Sequence, residues 1–186
     1  MVLHPIIDTR PLNKDDIVCH GVVNLLIGKT KWSSVIMTCQ KQLLALEFID
    51  RQDVATISDQ LLHRLSINKK NCRSLSMAEK KHWQTTLQNW QDGKQAAYLR
   101  LCGTDFQQKV WRALLSIKHG NTISYSDLAK KINSHHRAVA KNGVGRNHIS
   151  YFVPCHRVIA KHGGIGGFGG GLAIKRKLLQ AENISL

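Results

Sequence analysis

A cysteine with a base beside it is the first chemistry this sequence offers. It lies in Pro154-Cys155-His156-Arg157-Val158. A thiol attacks carbon as its thiolate, and nearby histidine or arginine charge favours that form. Pro154 also restricts the angle at which the chain enters the site. The other cysteines are Cys19, Cys39, Cys72 and Cys102; only Cys19 is followed by a histidine, and it sits in an apolar stretch that reads as an ordinary strand. Taken alone, the pentapeptide also fits a buried structural cysteine beside a surface histidine, because sequence neighbours often point opposite ways.

The remaining composition narrows the setting. His4, Cys19, His20 and Cys39 have the right types for zinc, but no CxxC or HxxxH spacing joins them, so no metal or other cofactor is expected. Five irregularly spaced cysteines are not a disulfide framework, and free thiols suit a reducing compartment. No apolar run is long enough to span a bilayer, and His4, Pro5 and Asp8 interrupt any signal-peptide pattern. These features lead us to expect a cytoplasmic protein with no membrane partner. A chain of 186 residues can bury a real core and hold two small domains. Its net charge is +15, with 14 Lys/Arg against three acids from Leu99 onward and 13 against nine before it. Such an excess attracts polyanions, nucleic acid first among them.

The chemistry needs elements to position it. Val18 to Ile27, Trp32 to Thr38 and Gln42 to Ile49 read as three strands joined by short polar turns, an antiparallel meander. Ser58 to Leu65 has helical spacing, and residues 66–76 read as a polar loop. Ser76-Met77-Ala78-Glu79 fits a capping box for a helix with Trp83, Leu87 and Trp90 on one face. The expected domains are 1–94 and 95–186.

In the second half, Thr104 or Asp105 caps a helix running to about Ile117. Ser124, with Asp127 three residues on, caps another. His136 to about Val144 reads as a third short helix, so the outline is helix, turn, helix, which fits either a DNA-binding motif or a plain helical hairpin. This third helix is rich in small residues (Ala138, Ala140, Gly143), which suits the minor groove, roughly 6 Å wide against 12 Å for the major groove, or tight core packing. Ile149 to Val153 reads as a short strand delivering Cys155. The run from Gly163 to Gly171 lacks the GxxxxGK[ST] spacing of a phosphate loop, but its glycines let backbone approach a flat ligand closely. Leu172 to Ala181 reads as an amphipathic helix with Lys175, Arg176 and Lys177 outside.

Several of these pieces together resemble the O6-alkylguanine-DNA alkyltransferase family. They are Pro154 to Val158 with the following Gly-rich turn and Gly170-Gly171-Leu172, Gly103 to Gln107 with Val110-Trp111, Ile123-Ser124-Tyr125 with Leu128-Ala129, and Arg137-Ala138-Val139 with Arg146-Asn147. The close resemblance covers about residues 99–182. The resemblance implies an α+β protein: a small N-terminal three-stranded antiparallel sheet with helices in a ribonuclease-H-like layout, then a mainly helical C-terminal domain with a helix-turn-helix and a short active-site strand. It implies a monomer that moves the alkyl group of O6-alkylguanine in double-stranded DNA, and more weakly of O4-alkylthymine, irreversibly onto its own cysteine. A buried thiol cannot reach an atom in the base stack, so the nucleotide is flipped out.

Carried over by position, Cys155 is the acceptor, His156 its base through a water, and Glu182 the acid that orients His156. Tyr125 assists the departing guanine, and Arg137 fills the gap left by the flipped base. Ala138, Val139, Arg146 and Asn147 complete the DNA-binding set, Asn147 also tying the turn before the active-site strand to the helix that carries Arg137, and Val158, Phe168 and Gly169 line the base pocket with Tyr125. The sequence departs from the family pattern in places. Tyr125 to Arg137 is two residues shorter and Arg137 to Asn147 one longer. His148 replaces a usual proline, His135 and His136 replace small residues, and Gly169 stands where serine is common. The competing reading is a damage-binding relative that does not transfer; such proteins lack the acceptor cysteine, which is present here.

Overall fold

Val35, Ile36 and Met37 in one strand and Leu43 to Leu46 in the next are fully buried. Continuous apolar runs of this kind belong to the middle of a sheet covered on both faces. The computed structural model, which describes residues 4–50 and 52–185, shows that sheet. Strands β2 (Val18–Ile27), β3 (Thr30–Cys39) and β4 (Gln42–Phe48) form the expected antiparallel meander. The β3–β4 turn is Gln40-Lys41, both at positive φ (48° and 66°), the geometry that matches strand twist in a two-residue hairpin.

The sheet is larger than the three strands expected. Among the described residues it has six, in the order β1-β6-β4-β3-β2-β5. The additions are β1 (Ile6–Asp8), β5 (Cys72–Ser74) and β6 (Tyr98–Arg100), and each joins by parallel pairing. At three residues each they are too short to show an alternating pattern, and parallel partners lie far away in sequence. The loop expected at 66–76 therefore contains a strand. Tyr98 to Leu101, which the sequence reads as a short extended stretch at the end of a linker, supplies β6, and the chain divides into a unit ending at Cys102 and one beginning at Gly103, because β6 is stitched between β1 and β4.

A buried ion pair fixes the entry into this sheet. Arg100 is 3% exposed; its guanidinium lies 3.1 Å from Asp16 and donates to the carbonyls of Arg10 (3.1 Å) and Pro11 (2.7 Å). Helix α1 (Val54–Arg64), capped by Asp53, packs Ile57, Leu61 and Leu62 against Val35, Met37 and Leu44. Helix α2 (Met77–Gln91) starts at the expected Ser76–Glu79 capping box. Its glutamines cover the edge of β2 beyond β5: Gln84 and Gln88 accept from the N–H groups of Asn24 and Leu26 (both 3.4 Å), and Gln91 donates to the Leu26 carbonyl (2.8 Å). Satisfying an open edge in this way keeps it from pairing with another chain.

The second unit begins with α3 (Asp105–Leu115), where Thr104 and Gln107 form a second capping box. A two-stranded parallel ladder of β7 (Ile123–Ser124) and β8 (Val158–Ile159) leads into α4 (Tyr125–Lys131), capped by Ser124. Asn133 at φ 48° stops α4, with the Ser134 N–H on the Ala129 carbonyl at 2.9 Å, a left-handed C-cap. The next helix is irregular. Its first turn, α5 (His136–Ala138), runs on as a π turn (Val139–Gly143) and a 3-10 turn (Val144–Arg146). A π turn absorbs one extra residue in a helix, so this is where the longer spacing from Arg137 to Asn147 is taken up. Helix α6 (Leu172–Ala181) closes the unit.

The π turn is pinned to α3. The Gly143 carbonyl accepts from Trp111 Nε1 at 3.1 Å, and a Cβ on Gly143 would meet Val110 atoms at 2.6, 2.8 and 2.9 Å. Val110 is β-branched and fully buried, so the backbone must shift instead. Gly143→Ala is expected to destabilise the second unit by about 1–3 kcal/mol. A thermal melt should show this as a lowered Tm; an unchanged melt would mean that the π turn is free to move off α3.

The strand expected at Ile149 to Val153 does not form. The Val153 N–H bonds to the Ile149 carbonyl (3.0 Å) and that of Phe152 to the Ser150 carbonyl (3.0 Å), with Tyr151 at φ 73°. The apolar residues here are buried in tight turns, which carry the same composition as a buried strand. The strand of the site, β8, follows Cys155 rather than preceding it. No described helix is long and apolar enough to cross a membrane.

Candidate active site

Cys155 opens a single 3-10 turn, Cys155–Arg157, between Pro154 and β8, and is 5% exposed. Asn147 holds it. The Asn147 side-chain nitrogen donates to the Val153 carbonyl (2.9 Å) and to Cys155 Sγ (3.0 Å), while its oxygen accepts from the Ile149 N–H (3.0 Å). One buried amide thus ties together the 3-10 turn, the turns at 149–153 and the sulfur. A donor on sulfur favours the thiolate over the thiol.

His156 is completely buried, with Nε2 2.8 Å from Glu182 Oε1. Tyr151 stacks on the imidazole, ring centroids 5.9 Å apart and planes 11° from parallel. Burial pulls the His156 pKa down, Glu182 opposes this, and the Arg157 and Lys175 charges pull it down further. The imidazole is therefore neutral, donating from Nε2 and keeping the Nδ1 lone pair as a base. Glu182 is not the surface acid its place near the C-terminus suggests, being 4% exposed. Burial raises its pKa, but the bonds from His156 and Arg157 outweigh this, helped by the Gly120 N–H (3.0 Å), and hold the carboxyl down to about 2.

Three participants were not legible as such. Arg157 places Nε 2.9 Å and Nη2 2.9 Å from the two Glu182 oxygens and gives Nη1 to the Ile117 carbonyl at 2.6 Å. Its charge is committed to the carboxylate rather than to the sulfur. Lys175, expected outside α6, is fully buried: Nζ bonds the carbonyls of Val158 (2.5 Å) and Gly167 (3.0 Å). Burial pulls its pKa down to about 8, with the Cys155 charge opposing. A signal for Lys175 existed, since it falls at i−3 and i−4 from Leu178 and Leu179, on the inner stripe. The Gly120 amide left no sequence signal.

Cys155 opens onto a cavity of about 440 Å³. Tyr125 lines it from α4, Gly167, Phe168 and Gly169 from the glycine-rich loop, and Ala140, Lys141, Val144 and Gly145 from the π turn and the 3-10 turn after it. Tyr125 OH donates to the Gly167 carbonyl at 3.3 Å, and burial raises its pKa, with the Cys155 charge adding to the shift. Gly166 is at φ 67°, where a Cβ would meet the Tyr125 ring at 3.0 Å, so glycine lets the loop close over the tyrosine.

The predicted set is thus brought together in part. His156 and Glu182 are paired, and Cys155, Tyr125, Phe168 and Gly169 share the cavity. Val158 is fully buried beneath it, and its carbonyl is taken by Lys175; Gly167 supplies the lining instead. Arg137 and Arg146 are exposed and Ala138 half-buried, but Val139 is 0% and Asn147 7% exposed. Val139 therefore serves the core, and Asn147 faces the sulfur rather than a partner. His148 is buried edge-on against Trp111, ring centroids 4.9 Å apart, filling the place after Asn147. His135 caps α5, Nδ1 accepting from the Arg137 N–H at 3.3 Å.

Residues 105–184 match the family described as 6-O-methylguanine DNA methyltransferase, DNA binding domain. A methylated-DNA–protein-cysteine methyltransferase of Mycobacterium leprae is 48% identical over 88 residues, 47% of this chain and 53% of the relative. The chain spans about half the length of the curated relatives it matches. The crystal structure of a point variant of Mycobacterium tuberculosis OGT aligns with a TM-score of 0.67 and 30% identity over 89% of this chain and 93% of that one. That of Mycobacterium tuberculosis OGT in complex with DNA aligns with a TM-score of 0.67 and 28% identity over the same shares, 89% and 93%. A likeness that runs through nearly all of a solved relative, on top of a family match over the unit that carries Cys155, decides the matter: the chain belongs to the 6-O-methylguanine-DNA methyltransferase family.

Proposed function

We propose that this protein repairs DNA by moving the alkyl group of O6-alkylguanine, and more slowly of O4-alkylthymine, onto Cys155. The observation that carries this reading is the sulfur itself: it opens onto a cavity of about 440 Å³ and is bonded by Asn147, and the next residue along the chain, His156, is paired in the interior with Glu182. His156 Nδ1 takes the thiol proton, relayed through a water. The freed sulfur pair attacks the alkyl carbon, the carbon–O6 bond breaks, and its electrons return to the purine. Tyr125, which burial keeps protonated, hydrogen-bonds the purine as this charge develops. The proton held by His156 then neutralises the leaving guanine. The product is a thioether, and nothing in the site regenerates the thiol, so each molecule acts once.

The sulfur of a cysteine only 5% exposed cannot reach a stacked base, so the nucleotide enters the cavity flipped out of the duplex. Arg137, exposed at the start of α5, fills the space it leaves. The test is to incubate the protein with a duplex carrying one O6-methylguanine and to weigh the Cys155 peptide. A gain of one methyl group per protein, with guanine restored in the DNA, is expected. Intact binding with no mass gain would replace this reading with that of a damage-binding protein.

A further inference from the structure

The cavity has a feature that alkyl transfer does not use. Among the described residues lining it, Lys141 is the one charged side chain. It lies in the middle of the π turn, two residues from each of Val139 and Gly143, which are buried. With about 4.4 residues per turn, positions four apart share a side and the residue midway is turned the other way. Gly143 cannot rotate away from α3, because Val110 and Trp111 hold it. The extra residue in this helix is therefore accommodated so that Ala140 and Lys141 border the cavity.

Lys141 also has no internal partner. It makes no hydrogen bond or ion pair with any described residue, whereas Lys130 pairs with Asp127 (3.5 Å), Lys131 bonds Ser116 (2.6 Å), and Lys175 holds two carbonyls. An exposed ammonium bordering a cavity that holds no other cationic side chain is placed to meet an anion carried by whatever enters. The base itself is neutral; the anion nearest to it in DNA is the phosphodiester of its own nucleotide.

We infer that Lys141 binds a phosphodiester flanking the flipped nucleotide, and so is a positioning residue that makes the site prefer a base within a DNA strand to the same base free in solution. This rests on the proposed alkyl transfer. Phosphate contacts of this kind fix register and carry no sequence information.

The test compares two substrates, a duplex containing O6-methylguanine and O6-benzylguanine as the free base, which has no phosphate. For Lys141→Ala, the ratio of the duplex to the free-base rate constant is expected to fall about tenfold. The slope of log affinity for the duplex against log salt should shrink by about 0.9, the release expected for one phosphate contact. Lys141→Arg should restore both. An unchanged salt slope, or equal slowing on both substrates, would overturn the inference while leaving alkyl transfer standing. A wild-type protein that reacts with neither substrate would instead overturn the transfer reading, and this one with it.

Discussion

Cys155→Ser is expected to abolish alkyl transfer, by more than about 10³-fold, while leaving the affinity for DNA within about twofold of wild type. Serine fits where the thiol sat and can still accept from Asn147, so the turn at 155–157 should persist. What it lacks is ionisation: a hydroxyl is not made an oxyanion by a neutral imidazole and one amide. On the proposed reading, DNA affinity rests on phosphate contacts from exposed cations such as Arg146, which the change does not touch. The check is a binding titration beside a mass measurement on the same preparation. Lost binding, with a lowered melting temperature, would mean that Cys155 holds the fold rather than performs chemistry.

The second large effect is expected at Glu182. Its carboxylate accepts from His156, Arg157 and Gly120 at once, in a site with almost no solvent. Glu182→Gln removes the charge and leaves the Arg157 guanidinium unmatched. Removing one partner of a buried pair costs about 3–5 kcal/mol. In a unit of this size each 1 kcal/mol lowers Tm by about 4–8 °C. Transfer should slow by about 10²-fold or more, because His156 loses the charged acceptor that fixes its tautomer and stabilises the imidazolium formed when it takes the proton. A Glu182→Gln protein that melts and reacts like wild type would show that the carboxylate is dispensable.

The same group gives a pH signature. The Glu182 pKa is depressed from 4.5 to about 2, so its contribution to stability is full above the unfolded value and is lost as pH falls from 4.5 toward 2. His156, also depressed, adds to acid lability from a higher pH: below 6.5 the unfolded imidazole takes a proton that the buried one resists. The wild-type midpoint should therefore fall steadily on acidification from 6.5, and Glu182→Gln should lack the component between 4.5 and 2. Superimposable profiles for the two proteins would contradict this.

Much of this protein could be read before its structure. The Ser76–Glu79 capping box, the caps at Thr104 and Ser124 and the β2–β4 meander are local patterns. They depend on groups within a few positions of one another, so the chain displays them directly. The family likeness added Glu182, whose place near the C-terminus says nothing of burial.

Folding decided the rest. Strands β1, β5 and β6 exist because distant segments supply their hydrogen bonds, and three residues are too few to announce a period. Ile149 to Val153 has a strand's composition but spends it on tight turns around Asn147. Lys175 and Arg157 carry charge that composition sends to the surface; they are inside because backbone carbonyls and Glu182 receive them there. The cavity onto which Cys155 opens is built from α4, the π turn and the glycine-rich loop, which meet only when the unit is folded. Residue types and short spacings thus determined which atoms could react. Long-range pairing and burial decided which of them are charged, which are fixed, and which border the cavity.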